Sequence, residues 1–358
     1  MHRFEHPRLA RRTALLALAG WAAAAALPTK AANLPAVLST PALITPKALG
    51  AATLAVTRAG KRLVAVGERG TVLLSDDHGV TWRQAQVPVQ ATLTTVCFAD
   101  DKTGWTAGHL GVILRTDDAG ATWRKQLDGI QAAALTLQAA QASGNNKEIA
   151  NAQRLEQEGA DKPFFDLEFV DTHQGYAVGA YGLIFVTQDG GKTWASMASR
   201  LPNPKSLHLY GLRAHGNTIM VAGEQGLLLR SVDGGASFAA LESPYKGSYF
   251  GLLHPGDDVW VVYGLRGTAY RSLDAGTQWH KLDTGVPMAV GAGTPLPKGG
   301  FMLMSQAGEM LIWQGEDPAP KRVPPREPLP VSGAVIAADG SLVQSSLRGM
   351  RRSTAMSF

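Results

Sequence analysis

Five aspartates, Asp77, Asp118, Asp189, Asp233 and Asp274, stand in one repeated setting, S/T-x-D-x-G-x-x-W/F. A carboxylate two residues after a hydroxyl can do two kinds of chemistry. It can pass protons, as paired acids do in glycoside hydrolysis, or it can accept hydrogen bonds from the backbone N–H groups of a tight turn. A catalytic site needs its acid once, so five copies at one spacing favour the turn. Ser75, Asp77, Gly79 and Trp82 therefore form a folding unit, as do Thr116, Asp118, Gly120 and Trp123. The same unit recurs in Thr187, Asp189, Gly191 and Trp194, in Ser231, Asp233, Gly235 and Phe238, and in Ser272, Asp274, Gly276 and Trp279. The closing aromatic is large enough to fill the gap between neighbouring sheets.

Other chemistry finds little support. Beyond the first 32 residues the seven histidines, among them His109, His173, His208, His215, His254 and His280, are scattered singly and lack metal-ligand spacing. No nucleophile elbow, Walker loop or dinucleotide fingerprint is present. No catalytic residue, metal or other cofactor is expected, and the chain is read as a non-enzyme.

The elements that carry these boxes repeat as well. Residues 63–82, 104–123, 175–194, 219–238 and 260–279 share the frame G-x-x-G followed by a strand that ends in the box. The first glycines, Gly67, Gly108, Gly179, Gly223 and Gly264, are 41, 71, 44 and 41 residues apart. A step near 41 is the length of one four-stranded blade of a β-propeller, and the step of 71 is a blade plus an insertion. Copies without a box follow at Ser305, which keeps Gly308, and at Ser346, which keeps Gly349. The fold class is all-β, a seven-bladed propeller of four-stranded antiparallel blades over residues 33–358. In the third repeat, period-two alternation places strands at residues 164–170, 176–179 and 183–187, with an outer strand starting at 193. The last repeat ends too early to supply a fourth strand, so the extended residues 35–45 are expected to complete it as an N-terminal closing strand. The glycines are read as permitting positive φ in the turns.

The net charge of +5 is concentrated at the N-terminus, where five basic residues against Glu5 in residues 1–32 account for +4 of it. A nearly neutral remainder argues against nucleic acid as a partner. The first 32 residues read as a cleavable export signal, and Arg11-Arg12-Thr13-Ala14-Leu15-Leu16 resembles the twin-arginine type. The expected location is the periplasm, with at most peripheral membrane contact, as a monomer. Cys97, the sole cysteine, lies in an apolar strand-like run and is expected to be a buried small hydrophobe.

Two features exceed what a scaffold needs. Arg115, Arg230 and Arg271 precede the box, and Arg351 and Arg352 stand near the equivalent place in the last repeat. Together with Arg213, Arg266 and Arg348 in or near blade connections, they are candidates to grip acidic partner segments by forked hydrogen bonds. The insertion, residues 130–161, has two helix-favouring stretches, 132–142 and 148–158, around a Ser-Gly-Asn-Asn break. A helical hairpin projecting from the ring is expected there, either a decoration or a partner-binding arm.

The boxes at residues 75–82, 116–123 and 187–194 resemble the Asp-box (bacterial neuraminidase-type) repeat. The longer frame, with seven blades and an export signal, resembles the photosystem II assembly and stability factor family and its relatives in non-photosynthetic bacteria, over about residues 53–358. That resemblance implies a lumenal or periplasmic protein that binds membrane-protein intermediates, its partner being an envelope client or transporter component. Asp boxes also occur in sialidases, which makes a glycosidase or glycan-binding propeller the alternative. The sialidase pattern has an Arg-Ile/Leu-Pro motif ahead of the first box, whereas Arg200-Leu201-Pro202 follows the third.

Overall fold

In the computed structural model, residues 35–353 are described, apart from 257, 298, 316, 318 and 326. The proposed export signal, residues 1–32, lies outside the described residues. The third repeat folds as Phe164–Phe169, Gly175–Gly179, Ile184–Thr187 and Ala195–Ser196, within one or two residues of the alternation. Alternation sets these strands because every second side chain points into the layer between neighbouring sheets. Leu167 and Phe169, for example, pack with Trp105, Ile113 and Trp194 across the junction of the second and third blades.

Each repeat is one antiparallel meander, giving six four-stranded sheets and a three-stranded seventh among the described residues. The inner strands are Thr53–Ala59, Leu93–Phe98, Phe164–Phe169, Leu209–His215, Tyr249–Gly256, Val290–Pro295 and Val331–Ile336, and each packs on the next around a closed ring. This is a seven-bladed β-propeller. Meander topology puts the G-x-x-G turns and the blade-to-blade connections at one end of the ring, the turn face, and the boxes at the other, the box face.

The ring is not closed as expected. Residues 35–50 form two 3-10 turns, Ala36–Leu38 and Pro46–Gly50, joined by coil, and they pair with no strand of the seventh blade. Residues 42–45 lie instead against the chain leaving the first blade, where Ala42 N–H donates to Val87 O (2.9 Å) and Gln84 bonds Thr45 N–H and Leu43 O (3.0 Å each), and Ala48 packs into the core shared by the first and seventh blades. Pro35, Pro41 and Pro46 explain this, since each removes a ladder donor from a segment only a strand long. Closure falls to the first and seventh blades directly. Ser346 N–H donates to Thr53 Oγ1 (3.1 Å), Ser332 Oγ donates to Thr53 O (2.7 Å), and Val56, Leu63 and Leu73 pack with Ala337 and Val343.

The insertion is a helical hairpin, α1 Gly129–Ser143 and α2 Asn146–Glu158. A capping box fixes the start of α1, where Asp128 accepts from Gln131 N–H and the Gln131 side chain accepts from Asp128 N–H. The hairpin does not project. α1 lies on the outer edge of the third blade, and Ala132, Leu135 and Leu155 join the core between blades two and three. A helix apolar around much of its girth needs cover on more than one side.

Candidate functional site

Four of the five boxes share one bonding pattern, and the fifth varies it. Ser75 Oγ donates to Asp77 Oδ1 (2.8 Å) and accepts from Gly79 N–H (2.8 Å), while Thr81 donates to Asp77 through its backbone N–H (2.9 Å) and its hydroxyl (2.6 Å). The sets around Asp118, Asp189 and Asp233 repeat these contacts, and Asp274 accepts from Thr277 and Gln278 N–H instead. Thr81, first by its hydroxyl and then by its N–H, holds the half-buried Asp77 carboxyl down to about 2. At Asp189, burial pushes upward but the bonds from Thr193 and Thr187 outweigh it. Ionised acids saturated by turn donors serve as acceptors, not as proton shuttles. Trp123 and Trp194 are buried between blades, and Trp82, Phe238 and Trp279 pack at the rims of the equivalent cores.

The arginines divide into three groups. The largest bonds the turn between the third and fourth strands of the next blade, which is the box turn wherever a box is present. Arg115 Nη1 donates to Gly190 O (2.7 Å), Arg230 Nη1 to Ala275 O (2.8 Å), Arg271 Nη1 to Gly315 O (2.8 Å) and Arg352 Nε to His78 O (3.0 Å). Arg62, which donates to Ala119 O (3.3 Å), and Arg200, which donates to Gly235 O (3.0 Å), do the same at two further junctions. Among the described residues, six of the seven junctions thus carry an arginine clamp. Arg115 also lies over the Trp105 ring at 5.1 Å and pairs with Asp117 (2.8 Å). Side chains spent on neighbouring backbone are poorly placed to grip a partner. The Arg115→Met variant is accordingly expected to lose about 1–2 kcal/mol of stability, the worth of one charge-assisted bond to a carbonyl, and to keep full partner capture. Denaturant unfolding alongside a pull-down would check both; lost capture at unchanged stability would restore Arg115 as a contact residue.

Arg213 forms the second group, in the ring's centre. From the inner strand of the fourth blade it reaches Asp166 Oδ2 (2.7 Å) and Glu168 Oε2 (3.5 Å) on the third. Thr95 Oγ1 and Leu212 N–H also donate to Asp166 (3.2 and 3.0 Å). Burial pushes Glu168 up to about 7 despite Arg213, and Tyr263 up to about 12. The sequence carried a signal for this cluster, two acids in the otherwise apolar run Phe164-Phe165-Asp166-Leu167-Glu168-Phe169. Cys97, half-buried on the neighbouring inner strand, feels the same acids, and burial pushes its thiol up.

The third group is at the surface. Arg266 and Arg348 are exposed in the G-x-x-G turns of the fifth and seventh blades, and Arg351 pairs with Glu327 (3.3 Å). The eight candidate arginines do not share one patch: the clamps sit toward the box face, Arg213 in the centre, and Arg266 and Arg348 on the turn face. The turn face also holds a cleft of about 690 Å³ between α2 and the third blade, lined in part by Arg154, Leu155, Tyr181, Leu201 and Asn203. Among the described residues, no helix is long and apolar enough to cross a membrane.

Known proteins agree with this architecture. The Photosystem II assembly lipoprotein Ycf48 of Synechococcus sp. (strain CC9902) is 28% identical over 127 residues, 35% of this chain and 38% of that protein's length. The match thus spans well under half of the relative. The solved structure of YCF48 bound to D1 peptide superposes over 88% of this chain and 96% of that one, with a TM-score of 0.62 at 14% identity. The WD40 β-propeller domain of Doa1 is similar over 88% and 95%, with a TM-score of 0.61 at 13% identity. At such identities the structural likeness shows the propeller fold alone. The family model described as Photosynthesis system II assembly factor YCF48 matches residues 77–153 and 145–317, running from the first box into the sixth blade. The chain belongs to that assembly-factor family.

Proposed function

We propose that this protein is a non-enzymatic, exported assembly factor that holds an extramembrane segment of a membrane-protein client in the cell envelope. The observation that carries the reading is the family match across residues 77–317. Two others support it. The conspicuous acids are spent on turns, as the box around Asp77 illustrates, and a family relative of the same fold was solved with a peptide of D1 bound. Export is supported by the basic-then-apolar pattern of residues 1–32, the pattern of a signal cleaved between residues 26 and 32 on the way to the periplasm.

Envelope crosslinking in the source organism, with a tag at the C-terminus, tests both parts. The mature chain is expected to begin within residues 27–33 and to fractionate with the periplasm, crosslinked to an integral membrane protein. An uncleaved chain in the cytosol, or crosslinks confined to soluble proteins, would sink the proposal.

A further inference from the structure

The two helices of the insertion are held very differently. α1 packs along the outer strand Ala195–Ser196 of the third blade and the 3-10 turn Ala198–Arg200 that follows it, and it buries Gly129, Ala132, Ala133 and Ala140. α2 leans on α1, and of its thirteen residues only Ala152 is buried. Leu155 is half-buried at the edge of the core between blades two and three. A surface helix ordinarily packs its apolar face directly on the body beneath it. α2 stands off instead, with the cleft of about 690 Å³ between it and the third blade.

Two lysines span that gap at opposite ends of α2. At its C-terminal end the buried Lys162 pairs with Glu158 (2.9 Å) and Asp161 and lies over the Tyr181 ring at 5.4 Å, which ties the last turn of α2 to the third blade. The N-terminal end is held more thinly, by the exposed Lys147, which donates to Pro204 O (3.4 Å) in the connection to the fourth blade. The chain on both sides of α2 can swivel. Gly144 has φ +69° and Gly159 has φ +85° with ψ −157°, and neither has a neighbour within 4 Å of where a β-carbon would stand. The Gly159 conformation is open almost to glycine alone. Residues at the ends of an element absorb the backbone rotation when it moves.

We propose that α2 is a strap across the cleft, released between Gly144 and Gly159 while α1 stays docked, with the Lys147 contact to Pro204 as its latch. Release exposes little apolar surface, because Ile149, Ala152 and Leu155 are the only apolar residues of α2 that are buried or half-buried. A helix this short is marginal in water once its support is gone, so α2 melts as it opens, and the slack this yields widens the cleft. The device stands independently of the client proposed above: it sets how often the cleft is open, not what enters it.

Hydrogen exchange of the full chain, read by mass spectrometry, tests the strap. Amides of α2 are expected to exchange at least about a hundredfold faster than those of α1, the mark of a local opening. Lys147→Met should speed α2 by about threefold more and leave α1 and the blades unchanged. A bismaleimide tying Lys147→Cys to Lys205→Cys, both at exposed positions, in a Cys97→Ser chain should slow α2 about tenfold. Access to the cleft is read separately. In a Cys97→Ser chain, a maleimide dye should modify Ala140→Cys, at a buried position in the cleft wall, about threefold faster once Lys147→Met is added. Thr136→Cys, half-buried in the same wall, serves if Ala140→Cys misfolds. Exchange of α1 and α2 at one rate, a Lys147→Met chain that behaves as its parent, or labelling that ignores the latch would each overturn the strap.

Discussion

Replacing Gly267 by alanine is expected to destabilise the propeller by about 3 kcal/mol or more, lowering the melting temperature by about 5 °C or more for a domain of this size. Gly267 is the second glycine of the fifth blade's turn and has φ +68°. A left-handed backbone alone costs an alanine about 1 kcal/mol. The larger cost is steric: a methyl group there would land on the carbonyl oxygen of Val286, in the connection to the sixth blade. That connection cannot swing aside cheaply, because Thr284 Oγ1 donates to Gly267 O (2.6 Å) and Val286 is buried. Arg266→Ala is the control, since Arg266 already holds φ +57° with a side chain and is exposed. It should change stability by less than about 0.5 kcal/mol. Thermal melts of both variants check this, and a Gly267→Ala melt within a degree of wild type would show that the connection is softer than its bonding implies.

Gly267 also shows how far the sequence could be read. Its spacing from Gly264 announced a turn, but the reason for each glycine differs from the expectation of positive φ throughout. Gly264 has φ near 180°, open to any residue, and is excluded from carrying a side chain by the carbonyl of Ser248; of the two residues between, Arg266 takes a left-handed conformation without being glycine. Blade number was legible even where the box is lost, because Gly308 and Gly349 keep the turn that restarts each meander. Residues 35–45 form no strand because Pro35 and Pro41 within them, and Pro46 just after, remove ladder donors, a signal as visible in the sequence as the missing outer strand.

What stayed hidden depends on which blades meet. An arginine before a box reads equally as a solvated strand residue or as a clamp, and only the approach of the next blade's carbonyl, as with Arg115 and Gly190, decides it. The β-bulges at the start of the inner strands were invisible for a related reason. In Leu209-Tyr210-Gly211-Leu212 the one-residue slip erases the alternation that would have marked Tyr210 as pointing elsewhere. For the insertion, composition gave the helices. The apolar girth of α1 was the unused signal that it must be covered.

The Glu168→Gln variant is expected to be more stable than wild type at pH 8 and equal to it near pH 4. Burial raises the Glu168 carboxyl from the ordinary 4.5 to about 7, so the folded state binds a proton that the unfolded chain releases. A raised folded-state value contributes stability that is present below pH 4.5 and lost as pH climbs through 7. A shift of that size corresponds to at most about 3 kcal/mol. With 26% of the side chain open to water, about 1–2 kcal/mol is the expected gain of glutamine at pH 8. Arg213 sets the sign of the companion result. It offsets both Asp166 and Glu168, so Arg213→Leu leaves two acids facing each other and should cost about 3–5 kcal/mol. That loss should be larger at pH 8, where Glu168 is ionised, than at pH 5, where its proton relieves the repulsion. Denaturant unfolding of the three proteins between pH 4 and 8 resolves this, because glutamine removes the slope at Glu168 while leucine steepens it. Parallel curves for wild type and Glu168→Gln would mean that water in the ring's centre hydrates the acid well enough to keep it ionised.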